Sequence, residues 1–135
     1  MTELRWQQRF ENYKLALANI NETYDYIKQN GLNKIYIMAL IQAFEMVFEL
    51  AWKTMKDYLE YEGIKTDTPR ETIKNAFLRN VISDGDCWIE MLEARNKTSH
   101  TYKEEFAKSV ADEIIHKYLP ELNNLETILA EKLNG

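Results

Sequence analysis

The sequence predicts an all-α fold, an antiparallel bundle of about five helices, on three observations. Apolar residues recur at three- and four-residue spacing throughout, no period-two run of β-branched residues is bounded by turn dipeptides, and only four Gly and two Pro interrupt the 135 residues. With 45% hydrophobic residues and no Gly/Ser-rich or Pro-rich linker, residues 1–135 are expected to form one domain around one core.

The first helix is expected over residues 3–29, where Leu4, Phe10, Tyr13, Leu17, Ile20, Tyr24 and Ile27 form an apolar stripe. Asn30-Gly31 stops it, because glycine accepts the left-handed backbone that closes a helix. A second helix over about 33–62 ends in the same way at Gly63. The third has the best-marked start: Thr68 can cap, Pro69 suits the first helical position and Glu71 completes a capping box, so it should run from 69 to about 79. Ser83 or Asp84 caps a fourth helix, which carries Trp88, Met91 and Leu92 to about 95 or 96. The last stretch, about 102–133, must bend near Pro120, which cannot sit in an unbroken helix.

Composition removes several classes of function. A single cysteine, Cys87, allows no intrachain disulfide and has no evident partner for nucleophilic catalysis, so it reads as a small helix residue. Two histidines give no cluster at zinc-ligand spacing, and neither metal nor cofactor is expected. The net charge of −5 argues against coating nucleic acid through many phosphate contacts, yet it leaves room for an enzyme that holds RNA briefly. The opening segment is amphipathic and charged, unlike a secretory signal, and the most apolar run, 35–50, is interrupted by Gln42, Glu45 and Glu49 and is short and polar for a bilayer span. A cytoplasmic chain without membrane contact is expected.

Two regions depart from this plain picture. The second helix is apolar over more than half its circumference, through Ala43, Phe44, Met46, Val47, Phe48, Leu50, Ala51 and Met55, while Gln42, Glu45, Glu49, Lys53 and Lys56 share the remaining stripe, edged by Trp52. Such a line is most often a solvated face; alternatively Glu45 and Glu49, one turn apart, line a cleft or subunit interface and meet a cation or a basic partner.

The other region is Arg95-Asn96-Lys97-Thr98-Ser99-His100-Thr101-Tyr102. In one unbroken helix, residues five apart point roughly 140° away from each other, so Arg95 and His100 converge on one substrate only if the helix breaks between them. Asn96 tolerates the left-handed conformation, and Thr101 with Glu104 forms a capping box that would start the last helix at Tyr102. His100 would then precede a helix N-terminus, which favours phosphate, and the Arg95 guanidinium matches phosphate oxygens in a two-pronged fit. The pair suits phosphodiester chemistry without metal, with the 2′-OH of RNA as nucleophile, His100 moving a proton and Arg95 stabilising the phosphorane. By residue type alone, a histidine in a turn is more often a solvated or capping residue. His116 has no comparable neighbours and reads as structural.

Arg95 to Tyr102 reads R-x4-H-x-Y, which resembles the signature of HEPN-domain toxins encoded beside minimal nucleotidyltransferases, and Asn96 fits the polar residue that follows the arginine there. The resemblance extends over roughly residues 5–120 through Glu45, Glu49, Leu50, Trp52 and Lys53, then Thr68-Pro69-Arg70-Glu71, then Asp84, Trp88 and Met91-Leu92. This combination is similar to the HepT-like branch called nucleotidyltransferase substrate-binding proteins, named for likeness to the helical C-terminal domain of kanamycin nucleotidyltransferase. The resemblance implies a homodimer whose R-x4-H segments face each other across a cleft, an endoribonuclease toxin of a toxin–antitoxin pair. Arg95 and His100 would be catalytic with Asn96 in support, and the cognate nucleotidyltransferase would silence the toxin by transferring AMP to Tyr102, placing repelling phosphate charge where RNA must bind. The alternative is a non-catalytic subunit that presents substrate to a two-component nucleotidyltransferase through the cleft of Glu45, Glu49, Trp52 and Lys53. A helical adaptor that only oligomerises is the plainest reading.

Overall fold

The computed structural model describes residues 2–101 and 103–134, with side chains from residue 5 onward. Between α1 (Thr2–Asn30) and α2 (Lys34–Tyr61) the chain reverses within three residues. Gly31 takes φ +86°, with its N–H bonded to the Ile27 carbonyl at 2.8 Å. Asn33 then caps α2, its side-chain oxygen accepting from the Tyr36 N–H at 3.0 Å. So short a connection sets the two helices antiparallel, and they form the most extensive contact of the fold. The predicted stripe on α1 is the packed one: Phe10, Tyr13, Leu17, Ile20 and Ile27 are buried, while Leu4 lies outside the described side chains.

α2 is the central helix and also touches α3 (Pro69–Leu78), α4 (Gly85–Asn96), α5 (Glu104–Glu113) and α6 (Leu119–Asn134). Leu40, Phe44, Val47, Phe48, Ala51 and Met55 on it are fully buried, whereas Met46, part of the same apolar arc, is 54% exposed. By length and composition alone this helix could cross a membrane, being longer than the apolar run at its start. In the bundle its apolar face is the core instead. Each large apolar side chain buried there contributes about 1.5–3 kcal/mol.

Arg9 fastens α1 to α2: its Nε donates to the Asp57 carboxylate at 2.9 Å, and Asp57 is only 3% exposed. Arg9→Met leaves that carboxylate buried without its partner. The expected loss is about 2–3 kcal/mol, less than for a fully enclosed pair because solvent reaches the 34%-exposed Arg9 side chain. The urea midpoint measures it, and a change under about 0.5 kcal/mol would show that the pair stabilises nothing.

Both marked helix starts are present. The Thr68 hydroxyl accepts from the Glu71 N–H at 3.2 Å, while Glu71 returns its carboxylate to the N–H of Asp67, one residue before the cap. Asp84, rather than Ser83, caps α4 by accepting from the Cys87 N–H at 3.0 Å.

Near Pro120 the chain departs from α-helical bonding without interruption, through a π-turn, Ile114–Tyr118, between α5 and α6. The N–H of Leu119 reaches back to the carbonyl of Ile114, one residue further than in an α-helix. The widened turn accommodates a ring that would otherwise press on the carbonyl four residues earlier. Tyr118 in this turn stacks on Phe44 at 5.7 Å and donates its hydroxyl to Glu113 at 2.7 Å. Taking the unbroken succession of α5, π-turn and α6 as one rod, the described residues form the five rods that the sequence predicts, with no strand.

Candidate functional site

α4 ends at Asn96, and a single 3-10 turn, Thr98–His100, follows before α5 begins at Glu104. The helix therefore breaks between Arg95 and His100, as their convergence requires. The means differ from those expected. Asn96 is the last residue of α4, and Asn80, at φ 62°, is the non-glycine residue with left-handed backbone among those described. Tightening from α-helical to 3-10 bonding redirects the chain, with the His100 N–H bonded to the Lys97 carbonyl at 3.0 Å and that of Thr101 to Thr98 at 3.2 Å.

The capping box at Thr101 does not form. Thr101 is buried, and its hydroxyl donates to the Thr98 carbonyl at 2.7 Å rather than accepting from the next helix. Lys103 occupies the N-cap without a side-chain bond, and the first turn carries Glu104 and Glu105. These carboxylates answer the helix dipole at the N-terminus where phosphate is expected beside His100. Tyr102 lies outside the described residues.

The fold joins two groups of residues that the sequence presents separately. Glu49 on α2 lies 3.5 Å from Arg95 Nη1 on α4 and 3.3 Å from Lys53 Nζ, so one carboxylate sits between two cations. The Arg95 guanidinium also stands over the Phe48 ring, 5.6 Å from its centroid, and its Nε is buried without a hydrogen-bond partner among the described residues. One turn earlier, Glu45 Oε2 lies 2.7 Å from the Thr98 hydroxyl, which is also 2.8 Å from the Arg95 carbonyl. The polar line of α2 is thus the surface on which the R-x4-H segment rests. Trp52 at its edge is half-buried and packs against the core. Asn96 and His100 are exposed at either side of the break.

The arrangement offers a half-exposed cationic pair, Arg95 and Lys53, and an exposed imidazole on the adjoining turn. A guanidinium braced from behind by an aromatic ring and held at Nη1 by a carboxylate keeps its orientation. Thr98 and Phe48 were not singled out from the sequence. A signal for Thr98 existed in Glu45, a carboxylate on a largely apolar helix, but its partner is 53 residues away.

A second groove, about 670 Å³, is lined by Asp84, Asp86, Cys87, Glu90, Glu93, Lys117 and Glu121. Its charge repels nucleic-acid phosphate. Burial and the nearby Asp84 push the Cys87 thiol up to about 11. Cys87 is therefore protonated at neutral pH, as befits a small helix residue. Alkylation by iodoacetamide followed by mass spectrometry should be slow at pH 8, where about one thiol in a thousand is ionised, and quicken about tenfold per pH unit until about 11. Rapid labelling at pH 7 would overturn this reading.

A family profile described as "Nucleotidyltransferase substrate binding protein like" matches residues 8–131. The chain belongs to that family. Its relatives include a Haemophilus influenzae protein named "Probable ribonuclease HepT", 36% identical over 83 residues, a match that takes in 58% of this chain and 57% of the relative. The chain thus spans less than two thirds of that relative's length. Among solved structures, a Haemophilus influenzae protein described as having the fold of a nucleotidyltransferase substrate binding domain superposes with TM-score 0.81 at 28% identity, covering 90% of this chain and 98% of its own. A Thermus thermophilus protein superposes with TM-score 0.74 at 26% identity, covering 91% and 99%. A tri-AMPylated Shewanella oneidensis HEPN toxin in complex with MNT antitoxin shares the fold, with TM-score 0.72 at 15% identity over 93% of this chain and 96% of its own. The nucleotidyltransferase substrate-binding family and the HEPN toxin thus have one helical architecture in common, and this chain adopts it.

Proposed function

We propose that the chain is a metal-independent endoribonuclease, the toxin of a toxin–antitoxin pair, and acts as a cytoplasmic homodimer. The observation that carries the reading is the helix break after Arg95, which leaves a braced guanidinium and an exposed imidazole on adjoining turns. In the reaction the RNA 2′-OH attacks the neighbouring phosphorus and the P–O5′ bond breaks. His100 takes the 2′-OH proton or gives one to the leaving oxygen, Arg95 stabilises the charge that builds on phosphorus, and Asn96 supports them. Two such segments facing each other would supply a base from one and an acid from the other. A cognate minimal nucleotidyltransferase would neutralise the toxin by AMP transfer to Tyr102, as the AMPylated state of the Shewanella oneidensis toxin suggests by analogy.

The test is to purify the chain free of any nucleotidyltransferase and incubate it with RNA, with and without EDTA. Cleavage that persists in EDTA and leaves 2′,3′-cyclic phosphate ends is the expected result. No cleavage by a verified dimer, or cleavage lost in EDTA, overturns the proposal.

The family's description favours a second reading, a subunit that presents substrate to a nucleotidyltransferase. In that case transfer appears only in the mixed complex and depends on Glu45 and Glu49 rather than on His100.

A further inference from the structure

We infer that Glu45 is a positioning residue for this site: its carboxylate holds the Thr98–His100 turn at the angle that lets His100 work with Arg95. The inference rests on the ribonuclease reading and assigns to it a residue that touches no substrate.

The turn is a single 3-10 segment with poor intrinsic stability, since three residues bonded i to i+3 gain little beyond their own backbone bonds. No side chain caps it at Lys97, and none caps the helix that follows at Lys103. Its anchorage comes from threonines. The Thr98 hydroxyl, on a residue 6% exposed, lies 2.7 Å from Glu45 Oε2 and 2.8 Å from the Arg95 carbonyl, so its one proton is shared by an acceptor on α2 and by the residue that carries the guanidinium. The Thr98 carbonyl in turn receives both the N–H and the hydroxyl of Thr101, at 3.2 and 2.7 Å. This chain of bonds runs from α2 through Thr98 to Arg95 at the end of α4 and to Thr101 just after the turn.

A charged acceptor makes the first link about twice as strong as a neutral one. The far end of Glu45's helix face is fixed by Phe44, Val47 and Phe48, all fully buried, so the carboxylate has a firm base. Glu49, one turn on, grips the Arg95 side chain while Glu45 accepts from the Thr98 hydroxyl beyond it. The two carboxylates divide the work: one aims the guanidinium, the other sets the turn.

The experiment measures RNA cleavage and amide hydrogen exchange in full-length dimers of wild type, Glu45→Ala, Glu45→Gln, Thr98→Val and the Glu45→Ala/Thr98→Val double variant. Misplacing a reacting group by about 1 Å costs about 100-fold, so Glu45→Ala should lower kcat about 30- to 100-fold with KM within about threefold. Glutamine keeps an acceptor at the same reach and should recover most of that loss. Thr98→Val should match Glu45→Ala, and the double variant should be no worse than either alone. Exchange at the Thr101 amide should quicken at least tenfold in Glu45→Ala, while amides of central α2 keep their protection.

Glu45→Ala that cleaves and exchanges like wild type overturns the inference. So does a loss confined to KM, equal impairment by glutamine and alanine, or a loss that tracks a fall in global stability. Where wild type cuts no RNA, the ribonuclease reading fails by itself; the exchange arm then still decides, since an unchanged Thr101 amide overturns Glu45's hold on the turn and a quickened one sustains it.

Discussion

His100→Ala is expected to lower RNA cleavage by about 10²- to 10⁴-fold, the range for removal of a general acid or base, with far-UV circular dichroism and Tm unchanged. His100 is exposed, and the turn that carries it is held by backbone bonds and by Thr98 and Thr101. Arg95→Lys should cost a comparable factor despite keeping the charge. An ammonium can neither lie flat over Phe48 nor offer two parallel donors to a phosphate. Initial rates on a defined RNA, with the dimer verified by light scattering, give both numbers. Cleavage by His100→Ala within threefold of wild type would remove the imidazole from the chemistry.

Trp88→Ala should have the largest effect on stability, about 3–5 kcal/mol in chemical denaturation. Trp88 is wholly buried and meets the Phe48 ring at 6.3 Å, wedged between α4 and α2. Its removal leaves a cavity that helices fixed at several other points can close only in part. Phe48 is also the platform under Arg95, so cleavage should fall beyond what the smaller folded fraction explains. A loss below about 1 kcal/mol would mean that the helices close over the gap.

The helices were legible in the sequence because their signals are local. Gly31, Thr68 with Pro69, and Asp84 mark their boundaries through bonds that span three or four residues, and the structure repeats them within a residue or two. The start of the last helix was not legible, because Thr101 chooses between two partners. A capping role was available locally, but a buried threonine donates more profitably inward to the Thr98 carbonyl, and burial is a property of the whole fold. The π-turn was half legible: Pro120 demands a deviation, while its form follows from packing against Phe44. At the site, Arg95, His100, Glu45 and Glu49 could each be named in advance. That Glu49 would meet Arg95 and Glu45 would meet Thr98 could not, since those contacts join α2 to the end of α4 across the bundle.

The Tyr13 hydroxyl, fully enclosed, donates to the Leu122 carbonyl at 2.6 Å, and Asn21 and Asn123 exchange amide bonds at 2.9 and 3.2 Å. α1 is thereby sewn to α6, about a hundred residues later in sequence and beyond the Thr98–His100 turn. A nascent polypeptide on the ribosome can assemble the α1–α2 hairpin early, but it cannot seal the core over Tyr13 until α6 has emerged. A bundle built in this order would gain its finished core only once α6 had left the exit tunnel.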